Sequence, residues 1–263
     1  MSIRTSPWPA GVPCWVDLTA PDVDAAKDFY ADVLGWTYQD TEAEYSGYAL
    51  AEVRGTAAAG IGPQPPGAPA AWTLYLASDD ADKTAAAVAE HGGTVLLPPG
   101  DVGPLGRMFI AADPAGAAFG VWQAKTHIGA GLVNEPGGLT WEDLRSTDPD
   151  TAQAFYTAVF GYRTEQLPAA GPDYVTFALA GEEAPLGGMG GMMGAEDRPA
   201  HWLVYFGVAD ARGAAATAQR NGGSLLADVF DTPYGRMAGL ADPAGAVFWV
   251  VQTDGSGQPD RAD

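Results

Sequence analysis

One stretch of the sequence occurs twice, and this repetition limits the possible folds more than any other feature. Residues 15–36 read W-V-D-L-T-A-P-D-V-D-A-A-K-D-F-Y-A-D-V-L-G-W, and residues 141–162 read W-E-D-L-R-S-T-D-P-D-T-A-Q-A-F-Y-T-A-V-F-G-Y. Both copies keep the first tryptophan, an aspartate two residues later, a Phe-Tyr pair and a late glycine. A chain of 263 residues that carries one pattern twice is typical of two similar domains in tandem.

The repeated stretch predicts a strand followed by a helix. Residues 14–20 alternate between apolar and polar side chains, as a half-buried β-strand does. Asp22 or Asp24 can cap the helix that follows, apolar residues recur at helical spacing, and Gly35 ends it. We expect the Phe-Tyr pair on this helix to lie in the core.

Three short strands then complete a βαβββ module, and a second module follows before residue 124. Its last two strands flank an Asp-Pro-Ala-Gly turn, in which proline fixes φ and glycine takes a positive φ. The second copy repeats every element. The strands predicted in the first copy are 14–20, 36–40, 45–53, 57–62, 72–77, 94–97, 107–112 and 117–123, and the Ala-rich second helix is 80–90. We therefore predict an α+β fold with domains at 10–124 and 138–254, a linker at 125–137 and a disordered tail at 255–263.

Charge and cysteine content limit the partners and the compartment. The formal net charge is −20, so the chain should repel nucleic acid and anionic membrane surfaces. No stretch of about 18 apolar residues predicts a membrane helix. Cys14 is the only cysteine, so no intrachain disulfide is possible, and we expect it to be buried. These features predict a cytoplasmic protein that binds neither nucleic acid nor membranes.

The order of the motifs resembles that of the vicinal oxygen chelate superfamily, which includes glyoxalase I, bleomycin-resistance proteins and extradiol dioxygenases. The resemblance rests on F-Y and L-G at the helix end, and on G-R followed by D-P-x-G before the last strand. It extends over four βαβββ modules. The opening C-W-V-D-L also resembles a subgroup of two-domain actinobacterial glyoxalase-like proteins. The resemblance implies that each domain bends eight strands into a cup that binds ligands on its concave face, in a monomer or a homodimer.

The same resemblance implies where a metal would bind in each domain. Metal-dependent members place ligands on the first, fourth, fifth and eighth strands. The matching first-strand residues are Trp15 and Trp141, and the matching eighth-strand residues are Gly120 and Trp249. The fourth- and fifth-strand candidates, listed here in chain order, are residues 59–61, Thr73, residues 188–190 and Leu203. These positions offer neither histidine nor carboxylate to a divalent ion, so we expect no metal and no cofactor.

Polar side chains on the concave faces are the next candidates. Strand alternation places Asp17 beside Trp15 and places Asp143 and Arg145 beside Trp141. Arg107 and Arg236 are also expected to point inward, either as structural ion pairs or as ligand anchors.

The three histidines differ in their expected surroundings. His91 should cap a helix, His127 should be solvated in the linker, and His201 should lie near the second cup. The catalytic candidates are therefore Asp143, Arg145 and His201. Glycine and methionine at 187–193 form either a flexible loop or an adaptable ligand contact.

Aromatic residues on predicted strands complete the picture, because an aromatic-lined cup binds flat or apolar molecules. The ligand-binding candidates are Trp15, Asp17, Tyr75, Arg107, Trp122, Trp141, Asp143, Tyr205, Arg236 and Trp249. We expect metal-independent binding, for sequestration or modification, of a small apolar or aromatic molecule. Two alternatives are open: a metal-dependent lyase, isomerase or oxygenase with a shifted site that includes His201, and an acid–base enzyme that uses Asp143 with Arg145.

Overall fold

The computed structural model describes residues 3–40, 47–194 and 197–252, and the tail predicted at 255–263 lies outside them. Strand–helix–three strands occurs twice in each half, as predicted. The first half contains β1 (Pro13–Ala20), α1 (Val23–Leu34), β2 (Thr37–Asp40), β3 (Ala49–Val53), β4 (Thr56–Pro63), β5 (Ala71–Ala77), α2 (Ala81–Glu90), β6 (Thr94–Val102), β7 (Gly106–Ala112) and β8 (Ala118–Ala124). The second contains β9 (Leu139–Arg145), α3 (Pro149–Phe160), β10 (Tyr162–Gln166), β11 (Val175–Leu179), β12 (Gly187–Gly190), β13 (His201–Val208), α4 (Ala211–Arg220), β14 (Ser224–Thr232), β15 (Gly235–Ala241) and β16 (Val247–Gln252).

The repeated helices begin and end at the same positions of the repeat. Of the two predicted caps, Asp22 is the one used, and its side chain accepts a hydrogen bond from the backbone N–H of Ala25 at 3.0 Å. Asp148 caps α3 in the same way. Gly35 and Gly161 end the helices with φ of 74° and 72°, a left-handed conformation that glycine adopts without strain.

Each half forms one eight-stranded mixed sheet. The strand orders are β2-β3-β4-β1-β5-β8-β7-β6 and β10-β11-β12-β9-β13-β16-β15-β14, which are the same order in the two halves. The first strand of each half pairs parallel to the fourth and antiparallel to the fifth, and the fifth pairs parallel to the eighth. The predicted α+β architecture of two tandem domains is confirmed.

The strand predicted at 94–97 is longer than expected. It continues through Pro98 and Pro99 to Val102, with register shifts between Leu97 and Gly100. Proline is compatible with this strand because β6 lies at the edge of the sheet, where bulges and unused N–H positions occur.

The two halves pack together through the helix-covered faces of their sheets. The Tyr30 hydroxyl on α1 donates to Oδ2 of Asp242, in the Asp-Pro-Ala-Gly turn of the other half, at 3.2 Å. Tyr156 on α3 lies in the same way beside Asp113 of the first half. Phe29 packs edge-on against Phe248, with ring centroids 6.2 Å apart. The Phe-Tyr pairs are therefore core residues, as predicted, and they join the two halves.

Two expectations from composition can be compared with the structure. Cys14 is 1% exposed, so its predicted burial is confirmed. In the part of the chain that the structure describes, no helix combines the length and the hydropathy needed to cross a membrane.

Candidate functional site

The helix-free face of the first sheet brings together residues from four strands. Trp15 lies opposite Tyr75, Tyr75 lies opposite Gly120, and Asp17 lies opposite Gly60. Residues directly opposite each other on paired strands share a face of the sheet. We call this face, which carries Trp15, Asp17, Tyr75 and Trp122, the first cup; the face of the second sheet that carries Trp141, Asp143, Tyr205 and Trp249 is the second cup.

Asp17 lies at the centre of the first cup and is only partly buried. Its Oδ2 accepts hydrogen bonds from the hydroxyl groups of Tyr75 at 3.1 Å and Tyr48 at 3.4 Å. The Nε1–H of Trp15 donates to the Tyr48 hydroxyl at 3.0 Å. Among the residues that the structure describes, no donor forms a hydrogen bond to Oδ1 of Asp17. Burial raises the pKa of Asp17 to about 7, although the two tyrosine hydrogen bonds favour the carboxylate.

Tyrosine rings cover the glycines of the first cup. A Cβ atom at Gly60 would lie 1.8 Å from the Tyr48 hydroxyl oxygen, and a Cβ at Gly120 would lie 2.2 Å from the Tyr75 ring. A side chain at either position would require its tyrosine to move. Tyr75 therefore occupies the space that the side chain of a metal-binding carboxylate at position 120 would need.

These residues do not fit a divalent metal ion. The first-strand position is Trp15, whose indole N–H is a donor only, and the eighth-strand position is Gly120. Across residues 3–40, 47–194 and 197–252, no group of three or more His, Cys, Asp or Glu side chains could hold a metal ion.

His127 contributes to the first cup and is half-buried, so it is less solvated than its place in the linker predicted. Its ring makes edge contacts with Trp15 and Trp122, with centroids 4.6 and 5.6 Å apart. The linker folds back along the sheet, and the backbone N–H of His127 donates to the Leu105 carbonyl at 3.0 Å. Burial lowers the pKa of His127 to about 4, so the ring is neutral near pH 7.

A cavity of about 240 Å³ lies where the lead-in segment and the linker meet the end of the first sheet. Trp8, Cys14 and Ile128 line it, together with Trp122, which also belongs to the first cup. The Nε1–H of Trp122 donates to the His127 carbonyl at 2.9 Å, so the linker fixes this ring.

In the second cup, both carboxylate oxygens of Asp143 are engaged. Oδ1 accepts from the Tyr174 hydroxyl at 2.6 Å and from Nε1 of Trp141 at 3.0 Å. Oδ2 accepts from the Tyr205 hydroxyl and from Nη2 of Arg145, each at 2.7 Å. Asp143 is 4% exposed and Arg145 8% exposed, so this is a buried, fully hydrogen-bonded ion pair.

Arg145 has further contacts that hold its guanidinium in place. Its Nη1 lies 2.6 Å from the sulfur of Met193, in the segment after β12, and its guanidinium carbon lies 5.6 Å from the Tyr174 ring centroid. His201 lies opposite Arg145 across β9 and β13, so its predicted position near the second cup is confirmed. Its Nδ1 lies 2.8 Å from the Pro199 carbonyl oxygen, and burial lowers its pKa.

Aromatic and apolar side chains fill the rest of the second cup. The Trp249 ring stacks on the Tyr205 ring, with centroids 5.6 Å apart and an interplanar angle of 26°. The other members of this apolar cluster are Trp141, Leu203, Met237, Val247 and Val251.

The predicted inward orientation of Arg107 and Arg236 was wrong. Met108 lies opposite Trp122 of the first cup, so the adjacent Arg107 points to the other face of β7. Its Nε bonds Oδ2 of Asp82 on α2 at 2.9 Å. Arg236 similarly bonds Asp231 at 2.7 Å, near the outer edge of the second sheet.

Tyr48 and Tyr174 were not among the sequence candidates, although they complete the two cups. Each donates a hydrogen bond to the central aspartate of its own cup. Their spacing in the chain is the same as that of Trp15 and Trp141. Extending the repeat past the first helix would have found both residues.

Comparison with known sequences identifies the class of protein. The sequence profile of the Glyoxalase/Bleomycin resistance protein/Dioxygenase superfamily matches residues 14–121 and 127–250. The chain therefore belongs to this superfamily, and the resemblance seen in its motifs is confirmed.

Two relatives are similar over almost their whole length. CFP32 of Mycobacterium tuberculosis, named provisionally as a glyoxylase, is 44% identical over 262 residues, which cover 95% of this chain and 97% of the relative. The anthracycline biosynthesis protein DauV of Streptomyces sp. strain C5 is 36% identical over 260 residues, which cover 92% of this chain and 93% of the relative.

Solved structures of the same fold include a metal-bound glyoxalase and a dioxygenase. A Mn(II)-bound glyoxalase from Novosphingobium aromaticivorans matches with a TM-score of 0.68 at 17% identity, covering 97% of this chain and 86% of that one. The 2,3-dioxygenase LapB from Pseudomonas sp. KL28 matches with a TM-score of 0.64 at 15% identity, covering 96% of each chain. At such identities the likeness concerns the fold alone.

Proposed function

We propose that this protein binds a small, largely apolar or aromatic molecule in a cup of its sheets, without a divalent metal, for sequestration or modification. One observation carries the proposal. In the first cup, the rings of Tyr48 and Tyr75 lie on Gly60 and Gly120, so aromatic surface and a carboxyl stand at the centre of the cup. Aromatic floors with a few polar groups suit flat organic ligands.

Two further observations support an aromatic ligand. Met108 and Ile110, both partly exposed, lie opposite Trp122 and Gly120 and extend the apolar surface of the first cup. The name of the relative DauV refers to anthracycline biosynthesis, and anthracyclines are polycyclic aromatic compounds. The net charge of −20 disfavours anionic ligands.

Tryptophan fluorescence provides the test, because both cups contain tryptophan. We expect naphthalene and anthraquinone derivatives to quench the fluorescence saturably, and cyclohexanol, a matched aliphatic control, to leave it unchanged. If no aromatic compound in such a panel causes saturable quenching up to its solubility limit, the proposed binding function is wrong.

The metal-dependent alternative is a lyase, isomerase or oxygenase with a shifted site that includes His201. Its support is the fold shared with the Mn(II)-bound glyoxalase. Calorimetric titration with Mn²⁺ and Zn²⁺ separates the two proposals. Tight binding of one ion per chain that is lost in His201→Ala would favour the metal enzyme and would contradict metal-independent binding.

The acid–base alternative has less support in the contacts. Asp143 already accepts four hydrogen bonds, which favours a fixed carboxylate over a proton carrier.

We also propose that the protein acts in the cytoplasm, since its single cysteine suits a reducing compartment, and that it is a monomer or a homodimer.

A further inference from the structure

The two cups are built on the same pattern but differ in where their large side chains lie. Strand register assigns equivalent concave positions in the two sheets. Around the central aspartate, three positions that are small in the first cup are large in the second: Thr19, Thr73 and Gly120 correspond to Arg145, Leu203 and Trp249. Farther out the order is reversed, because Ile110 and Trp122 of the first cup correspond to Gly239 and Val251. Trp249 stacks on the Tyr205 ring, whereas Gly120 adds no side chain beside the Tyr75 ring.

The central aspartates also differ in their capacity to bind a ligand. Asp143 has a donor on both oxygens, and one of these donors is the buried Arg145. In the first cup, Thr19 stands at the arginine position and donates instead to the Ala71 carbonyl at 3.3 Å. Asp17 therefore has hydrogen bonds on Oδ2, and within the described residues it has none on Oδ1.

Asp17 is only partly buried, but a bound ligand would cover its carboxyl, and a covered acceptor is costly unless a donor reaches it. The contacts of Asp17 therefore define the group that a ligand should bring. The hydroxyl of Tyr75 on β5 and that of Tyr48, just before β3, face the carboxyl, and no Lys or Arg among the described residues is bonded to it. A ligand carboxylate would meet this acidic group without a positive partner. A hydroxyl group would complete its hydrogen bonding.

We propose that the first cup is the ligand site, and that Oδ1 of Asp17 accepts a hydrogen bond from a hydroxyl group carried by an aromatic ring of the ligand. This inference rests on the proposed binding function and adds the cup, the polar contact and the ligand class. In the second cup, the four donors that already bond Asp143 give that carboxylate a structural role. The raised pKa of Asp17 agrees with this assignment, because it reflects desolvation of the carboxyl within the cup.

Calorimetry with a matched pair of compounds tests the proposal on the full chain. The pair is 2-naphthol, which carries the hydroxyl donor, and 2-methoxynaphthalene, which does not. We expect one 2-naphthol per chain and about tenfold weaker binding of the methoxy compound, the usual effect of one hydrogen bond to a carboxyl group. Asp17→Ala should bind both compounds with equal affinity, whereas Asp82→Ala, which removes an exposed carboxylate on α2, should retain the preference.

The outcomes separate this inference from the proposed function. If both compounds bind equally to the wild-type protein, or if two equivalent molecules bind per chain, the inference is wrong and the binding function stands. If neither compound binds and the wider aromatic panel also fails, both are wrong. Because Asp17→Ala removes a partly buried group that accepts two hydrogen bonds, circular dichroism should establish its folding. Asp17→Asn, which keeps an oxygen acceptor, should retain part of the hydroxyl preference if the alanine variant does not fold.

Discussion

At the scale of single residues, neighbours decide what a repeated side chain does. Asp17 and Asp143 occupy the same position of the repeat, and each accepts hydrogen bonds from two tyrosines of its own cup. Only Asp143 has an arginine two residues later. The same carboxyl is therefore a fixed ion-pair partner in one half and a titratable group near pH 7 in the other.

The raised pKa of Asp17 makes a definite prediction for stability. The native state keeps a proton that the unfolded chain releases near pH 3.8, so this group reduces the free energy of unfolding as pH rises from about 4 to about 7. The full effect is about 4 kcal/mol. Asp17→Asn should therefore gain stability relative to wild type over this range and differ by a constant amount above it. Urea unfolding at several pH values measures the difference, and parallel curves would contradict it.

His127 should show the opposite pH dependence. Its pKa is lowered from 6.5 to about 4, so the unfolded state binds the extra proton and stability falls as pH decreases through this range. His127→Gln should lose stability relative to wild type as pH rises from about 4 to about 6.5, by up to about 3 kcal/mol. His91→Gln, at an exposed helix end, is the control. An identical pH profile for the two histidine variants would show that burial of His127 has no such effect.

Arg145 should matter for stability far more than Arg107, although both pair with an aspartate. Arg145→Thr introduces the residue that Thr19 provides at the equivalent position of the first cup. It leaves Asp143, which is 4% exposed, without its positive partner. Breaking a buried pair in this way costs about 3–5 kcal/mol. Arg107→Thr breaks ion pairs with the exposed Asp82 and Asp101 and one hydrogen bond to the Pro99 carbonyl, and it should have a much smaller effect. Equal shifts of the urea midpoint in the two variants would contradict this difference.

At the scale of strands and helices, the close approach of a ring to the backbone fixes the floor of the first cup. Gly120→Ala would place a Cβ 2.2 Å from the Tyr75 ring, so we expect a loss of about 1–3 kcal/mol in the free energy of unfolding. Gly100→Ala is the matched strand control, because its Cβ would meet nothing closer than 3.9 Å. Urea denaturation of the two variants checks this, and an equally stable Gly120→Ala would mean that Tyr75 moves freely.

Sequence patterns predicted the elements better than the direction of individual side chains. The period of the apolar residues and the caps at Asp22 and Gly35 located α1 correctly, because these signals are local. Arg107 was misplaced because its face depends on strand register, which pairs Met108 with Trp122 and which no local signal sets. The contact of His127 with Trp15 depends on a linker that packs against a strand more than a hundred residues earlier in the chain, which local patterns do not encode.

At the scale of the whole molecule, residues of the repeat also join the two halves. The tyrosine of each Phe-Tyr pair contacts the aspartate of the Asp-Pro-Ala-Gly turn in the other half. The residues that mark one helix in the sequence therefore also form a contact between the two halves. The main buried cluster includes residues of both sheets. The halves should consequently unfold as one cooperative unit even though each has a complete sheet.

Tyr30→Phe tests this cooperation. It removes the donor to Oδ2 of the buried Asp242 and the acceptor for Nε1 of Trp72, which lies 3.1 Å from the Tyr30 hydroxyl. Two buried polar groups without partners should cost about 1–3 kcal/mol. Since one group lies in each half, hydrogen exchange measured by mass spectrometry should show a similar loss of protection in β5 and in β15. Tyr234→Phe, at an exposed turn, should leave both unchanged. A loss confined to the first half would mean that the two domains open independently and that the contact between them contributes little to the stability of either.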